Sequence, residues 1–361
     1  MSTTSAQPHG RILPAPVARA GERPGFDMRA IASYYAFPAR FDGTGTTIAI
    51  LSLYGGFRRS DLDAYFSSVG LGTPAIDVIP VGGAANNPVA DPRANVELVM
   101  SLEMLGSIAP GARLAVYIAP NTEQGVVDGL SKAIFDQEHH ADILCLTWAA
   151  DEAGASGMLA RMIDDSMKTA LVRGLPVCAP AGLWADGKLR PTYPGSHPLV
   201  LACGATRAVR QGSGLTEQPM MATASQPAGS VLWPMDRWQA KGIKRAVRRA
   251  VRGRLVPDVS ALADPEIGYR CYVNGQWVSV SDPGIASCLW AGLLARLHQA
   301  RGRPWGMVGS LYSTLGPAGT LTAVPAAKAG SRPAPAWDSR VGWGSPDGER
   351  MLAKLTAVSR R

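Results

Sequence analysis

Residues Val256–Gln299 read VPDVSALADPEIGYRCYVNGQWVSVSDPGIASCLWAGLLARLHQ. The stretch opens on a short apolar run around Pro257 and Asp258, passes an Ala-Asp-Pro turn at 263–265 and closes on a long apolar segment. Asp282 and Pro283 mark where that segment becomes a helix. Aspartate is a favoured N-cap, and proline suits the first turn because its missing N–H would lack a partner there anyway. Gly284 stands at the head of the helix. Ser287 and Cys288 follow about one turn later, about 5 Å along the axis, and project away from Gly284. Small residues in such a place read as core positions, cysteine being among the residue types most often buried.

Outward from this stretch the chain alternates two kinds of segment. Apolar runs such as TTIAILSL (46–53), RLAVYIAP (113–120), ILCLTW (143–148) and LPVCAPA (175–181) have the character of strands buried on both faces, as in a parallel sheet. Between them lie helical stretches, including DLDAYFSSV (61–69), GVVDGLSKAIFD (125–136) and SGMLARMIDDSMKTALVRG (156–174). With 46% hydrophobic and 18% charged residues the chain is globular and has ample material for a core. Its 40 glycines and 28 prolines suit an α/β domain with many tight connections. No apolar segment is long enough to span a bilayer, and no internal repeat is apparent.

Several blocks, in order along the chain, resemble the sedolisins, serine-carboxyl peptidases with a subtilisin-like fold. VPDVSALADPEIGY matches the family's approach to its nucleophile. YYAFPARFDGTGTTIAIL (34–51), SIAPGARLAVYIAPNT (107–122), ILCLTWAADE (143–152) and PTYPGSHPLVLACGATR (191–207) match further conserved runs. The resemblance implies a mostly parallel central sheet with helices on both faces, forming one domain over 31–361 behind a flexible tail over 1–30. It also implies positions for the catalytic groups, and only one of them keeps its residue. Gly284 falls on the nucleophilic serine. Counting back from Ala109-Pro110-Gly111, Glu97 falls on the general base and Ser101 on the aspartate that orients it. An alignment anchored from the left would use Glu103 instead and requires an insertion. Leu183, in PAGLWADG (180–187), falls on the aspartate that helps stabilise the oxyanion, and Ser52 on the acid behind the base. Glycine cannot attack a carbonyl, and leucine offers no hydrogen bond to an oxyanion.

The family's calcium site looks dismantled too. In APAWDSRVGWGSPDG (334–348) only Asp338 matches a ligand, the two site glycines being Ala334 and Ala336, and one carboxylate is too few for calcium. Asp338 reads as a structural turn residue, and the chain is assigned no metal and no cofactor. The five histidines show no metal-ligand spacing, and the five cysteines form no disulfide framework. Neither a secretory signal nor a long prosegment precedes the first matching block, so the expectation is a cytoplasmic protein that folds without a propeptide.

KGIKRAVRRAVRGR (241–254) adds something the resemblance does not imply. It holds seven basic residues in fourteen, with Ile243, Val247 and Val251 four apart, and reads as a helix with an apolar stripe and a cationic face. Lys244, Arg245, Arg248 and Arg249 on that face, with net charge +8 for the chain, favour an anionic partner. No nucleic-acid-binding motif accompanies them, which disfavours nucleic acid. Trp148, matching a tryptophan of the family's peptide pocket, with Asp151 and Trp184, leaves a binding cleft. Three functions follow as expectations. The chain is a pseudopeptidase binding a peptide or protein, possibly acidic, without cutting it. Alternatively Glu97 serves as general acid or base on a peptide-derived or small biosynthetic substrate, or Ser287 or Cys288 sustains a residual hydrolase.

Overall fold

The computed structural model describes residues 24–185, 188–212, 214–220, 227–304, 308–324 and 336–359. Residues 1–23 of the expected tail, Asp186, Gly187 and Ala334 lie outside them. The tail ends sooner than expected. Phe26 is fully buried, bridges to Tyr269, and stacks its ring obliquely on that tyrosine. Helix α1 (Met28–Tyr34) then starts under the Asp27 cap, with Met28 and Ile31 in the core.

Strand β1 (Thr47–Leu53) is buried along its middle, and α2 (Arg59–Ser68) leads to the edge strand β2 (Ile76–Pro80). Helix α3 (Pro92–Ile108) is capped by Asp91, whose carboxylate receives the Arg93 and Ala94 amides, with Pro92 in its first turn. Next come β3 (Arg113–Ala119), α4 (Glu123–Phe135), β4 (Ile143–Leu146), β5 (Ala150–Asp151) and α5 (Gly157–Val172). Strands β6 (Val177–Pro180), β7 (Gly182–Ala185), β8 (Lys188–Tyr193), β9 (Val200–Gln211), β10 (Gly214–Pro219) and β11 (Ala228–Gly229) follow. Two short helices, α6 (Arg237–Gly242) and α7 (Arg245–Ala250), precede β12 (Leu255–Val256), β13 (Val259–Leu262) and the hairpin β14 (Tyr269–Val273) and β15 (Gln276–Val280). Helix α8 (Gly284–Arg301), the turn α9 (Val308–Ser310) and α10 (Gly348–Ser359) complete the fold.

The main sheet runs β10-β9-β6-β4-β1-β3-β2, with β13 alongside β9. Every pairing in it is parallel except β9 with β10. β1 sits between β3 and β4, so Ile48 is level with both Leu114 and Ile143. Alternation along the strands sends one set of side chains toward α3 and α8 and the other toward α4 and α5. The runs read as doubly buried strands are therefore buried for the reason the pattern gives: both faces are covered.

This order fixes where a site can form. From β1 the chain goes outward to β2, returns to β3, and crosses to β4 on the other side. The strand order thus reverses between β1 and β4, and in open α/β sheets ligands bind beyond the strand carboxyl ends at such a switch point.

The basic segment departs from its expectation. It is not one helix over 241–254 but α6, an extended break at Ile243, α7, and an extended exit at Val251. Gly242 meets Tyr312 so closely that an added Cβ would lie 2.8 Å from the ring, and the chain leaves its helix there to bury Ile243. At the other end Gly253 has φ +86, a conformation glycine adopts freely, and Arg254 then turns inward rather than outward. Its side chain is fully buried and pairs with Asp258 at 2.6 Å.

Candidate functional site

Glu97 projects from the first half of α3 toward the end of β4, where Thr147 donates its hydroxyl to the Glu97 carboxylate at 2.5 Å. Gly284, at the head of α8, lies against the same threonine. A Cβ built on Gly284 would fall 2.6 Å from the Thr147 Cβ, 2.7 Å from its carbonyl oxygen and 2.8 Å from its Cα. The position assigned by resemblance to a serine is therefore one where backbone and Thr147 leave no room for a side chain.

The three expected serine and leucine positions behave differently. Ser101 is fully buried, and its hydroxyl turns back on its own helix to the Glu97 carbonyl at 2.7 Å, a local bond common for serine within helices. It does not orient the Glu97 carboxylate. Ser52 is buried near the end of β1. Leu183 is 41% exposed in β7, level with Arg190 of β8. Together β5, β8 and β7 form a small three-stranded sheet at the rim. Trp184 is half-buried in it. Asp151 is exposed and its carboxylate caps the Ala153 amide at 3.0 Å. Trp148 is buried with its ring edge-on to Tyr193, and its indole Nε1–H finds no acceptor among the described residues. Glu152, the next acid, is committed to structure: it accepts from the Ser230 hydroxyl at 2.6 Å and the Val231 amide at 2.7 Å.

Two groups the sequence reading passed over complete the site. Thr147 follows directly on the β4 run, and its role depends on the crossing of α3. Asp282 was read only as a helix cap, and it does accept the Gly284 amide at 2.6 Å. Its carboxyl is nevertheless pushed above the usual range by burial, against the pull of that amide and of the Arg93 charge. Glu97 is raised to about 7, by burial first and then by the negative charge of Asp282, while the Thr147 hydroxyl pulls it down. Two carboxyl groups thus hold protons into a range where ordinary carboxylates have lost them, and Glu97 can exchange its own near neutrality.

Ser287 and Cys288 are both fully buried in α8. The Cys288 sulfur lies 3.9 Å from that of Cys145, and neither Ser287 nor Cys288 is exposed to solvent. All five cysteines are buried and free. Nor do the residues near Asp338 fit calcium. Arg340 brings its Nε and a terminal nitrogen to the two Asp338 oxygens at 2.9 and 2.7 Å, so a cation of the chain's own already occupies the carboxylate. Lys244, just before α7, and Arg245 and Arg249 on it are exposed, while Arg248 is partly buried and donates to the Ile243 carbonyl.

No protein-family profile matches the chain. Individual relatives do. It is 32% identical to kumamolisin of a Bacillus species (strain MN-32) over 347 residues, covering 90% of this chain and 62% of that one. It is 25% identical to sedolisin of a Pseudomonas species (strain 101) over 362 residues, covering 90% of this chain and 60% of the relative. The chain thus spans about three fifths of the length of these curated relatives. The solved structure of Pseudomonas sedolisin, a serine-carboxyl proteinase complexed with two molecules of pseudo-iodotyrostatin, superposes with a TM-score of 0.77 at 22% identity. That match covers 93% of this chain and 99% of the other, and it shows the shared subtilisin-like fold. On the strength of the matches along nine tenths of its length, the chain is homologous to kumamolisin and sedolisin.

Proposed function

We propose that the chain is a sedolisin-family pseudopeptidase that binds a peptide or protein segment in its cleft without cutting it. The observation that carries this reading is the contact between Gly284 and Thr147, which leaves no space for a nucleophile at the head of α8. The burial of Ser287 and Cys288 removes the nearest substitutes. Recognition then rests on Trp184, half-buried in β7, and on Trp148, buried beside Tyr193 with an indole N–H left without an acceptor among the described residues. The test is incubation with a denatured protein from pH 3 to pH 8, read by mass spectrometry for new termini, beside a binding titration with a labelled peptide mixture. No cleavage and saturable binding weakened by Trp148→Ala are expected. Cleavage lost in Ser287→Ala or Cys288→Ala would replace this reading with a residual hydrolase.

A second reading is favoured by one specific observation, the neighbouring carboxyl groups of Glu97 and Asp282, both holding protons above the usual range. On this reading Glu97 is a general acid or base for a substrate that needs no protein nucleophile. Glu97→Gln keeps the shape and removes the titrating proton, so it abolishes turnover while sparing affinity. A merely modest change in affinity, with no reaction to lose, would leave binding as the function.

A further inference from the structure

The segment 230–254 forms a lobe closed at its root by the antiparallel pairing of β11 with β12. It contains eight basic residues and one acid, Asp236. Arg254 is consumed by the buried pair with Asp258, and Arg248 leans on the Ile243 carbonyl. The remaining six, Arg237, Lys241, Lys244, Arg245, Arg249 and Arg252, are exposed, and none pairs with a carboxylate among the described residues. Asp236 spends its carboxylate on the N-cap of α6. Like charges held this close repel one another, and an anionic partner relieves the repulsion.

The lobe's other side chains narrow the partner. An anionic membrane surface would need a cluster of apolar groups free to insert, but Ile243 is buried, Val247 and Val251 pack against the core, and Val231 at the root is a lone exposed valine outside the basic helix. A single-stranded nucleic acid would need free aromatic faces for stacking. Trp233 is engaged by His197, and Trp238 by Tyr312 and Arg254. What is left is dense charge with a single exposed valine and no free aromatic face, suited to the spaced carboxylates of an extended acidic polypeptide. The root of the lobe also adjoins the cleft: Ser230 and Val231 hold Glu152, one residue beyond the rim strand β5.

We infer that this lobe docks an acidic polypeptide segment continuous with the chain held in the cleft, an inference that rests on the cleft reading above for its geometry. The experiment titrates a glutamate-rich labelled peptide, and its glutamine counterpart, into the parent protein. Parallel titrations use Lys244→Gln/Arg245→Gln/Arg249→Gln/Arg252→Gln and Trp148→Ala. All four basic positions are exposed, and circular dichroism checks that the variant stays folded. The glutamate peptide should bind at least about tenfold more tightly than the glutamine one. That preference should shrink with added salt and disappear in the quadruple variant. Equal binding of both peptides, or an unaffected quadruple variant, overturns the inference. So does tighter binding of duplex DNA or of phosphatidylserine vesicles through the same four residues. Loss in Trp148→Ala alone would keep the cleft and sink the lobe, and loss in the quadruple variant alone would keep the lobe and sink the cleft reading.

Discussion

Gly284 and Thr147 occupy the ground where a nucleophile would stand, and their contact yields a sharp expectation. Gly284→Ser restores the side chain type the resemblance calls for, yet places its Cβ within 2.6 to 2.8 Å of three Thr147 atoms. Two of those atoms are backbone, or the Cα itself, so the neighbour cannot rotate away. Overpacking of this kind costs about 1–3 kcal/mol. The variant should therefore lose stability by that amount and gain no peptidase activity, as read by denaturant midpoint and by a protein-cleavage assay. Cleavage at a measurable rate would mean that the head of α8 adapts readily, and would remove the main support for the pseudopeptidase reading. Of the catalytic-type residues, Glu97 could be picked out from the sequence. Its bond to Thr147 could not, because fifty positions separate the two and only the crossing of α3 over β4 brings them together.

At the level of elements, the basic segment shows how charge count misleads when one member is destined for the core. Arg254 is the last of seven cations in fourteen residues, and nothing in its immediate neighbours marks it as different. Gly253 turns it inward, and Asp258, four residues on, receives it at 2.6 Å. Tyr312 donates to the other oxygen of Asp258 at 2.6 Å, and the Ala202 amide donates to the shared one at 2.8 Å. Arg254→Met keeps the approximate volume but strands a buried carboxylate, which costs about 3–5 kcal/mol. Replacing Asp258 with leucine in the same protein should recover only part of that loss, because no charge is then left unpaired but the Tyr312 hydroxyl and Ala202 amide lose their acceptor. A single variant as stable as the parent would show that Tyr312 and Ala202 suffice to hold Asp258. The strands were more legible. The runs at 46–53, 113–120, 143–148 and 175–181 each yield a strand because a sheet covered on both faces makes continuous apolar sequence the only workable pattern.

For the molecule as a whole, two buried groups tilt stability with pH in opposite directions. Glu97 binds its proton more tightly when folded, at about 7 against an ordinary 4.5. Its contribution is complete below about pH 4.5 and lost as pH rises through 7. His197, packed between Asp164 and Trp233, is driven by burial down to about 4 from 6.5. Its contribution is present above pH 6.5 and lost as pH falls through 4. The two offset each other between about pH 4.5 and 6.5. Glu97→Gln removes one side of that balance. The parent's stability relative to the variant should fall by on the order of 3 kcal/mol between pH 4 and pH 8. Melting temperatures of the two proteins across that range measure it, and parallel curves would mean that Glu97 is solvated in the folded state.

The sequence by itself determined the class of fold, the central strands at 46–53, 113–120, 143–148 and 175–181, and the absence of a side chain at 284. Periodicity and turn residues act locally, and Gly284 is missing its nucleophile in any conformation. Tertiary structure alone decided that Thr147 would fill the space beside Gly284, that burial, and after it Asp282, would raise Glu97, and that Ser101 would face its own helix. It also decided which cations of 241–254 meet water. These are properties of distance between residues far apart in the chain. Burial, charge coupling and steric exclusion depend on that distance, and no local pattern of residue types encodes it.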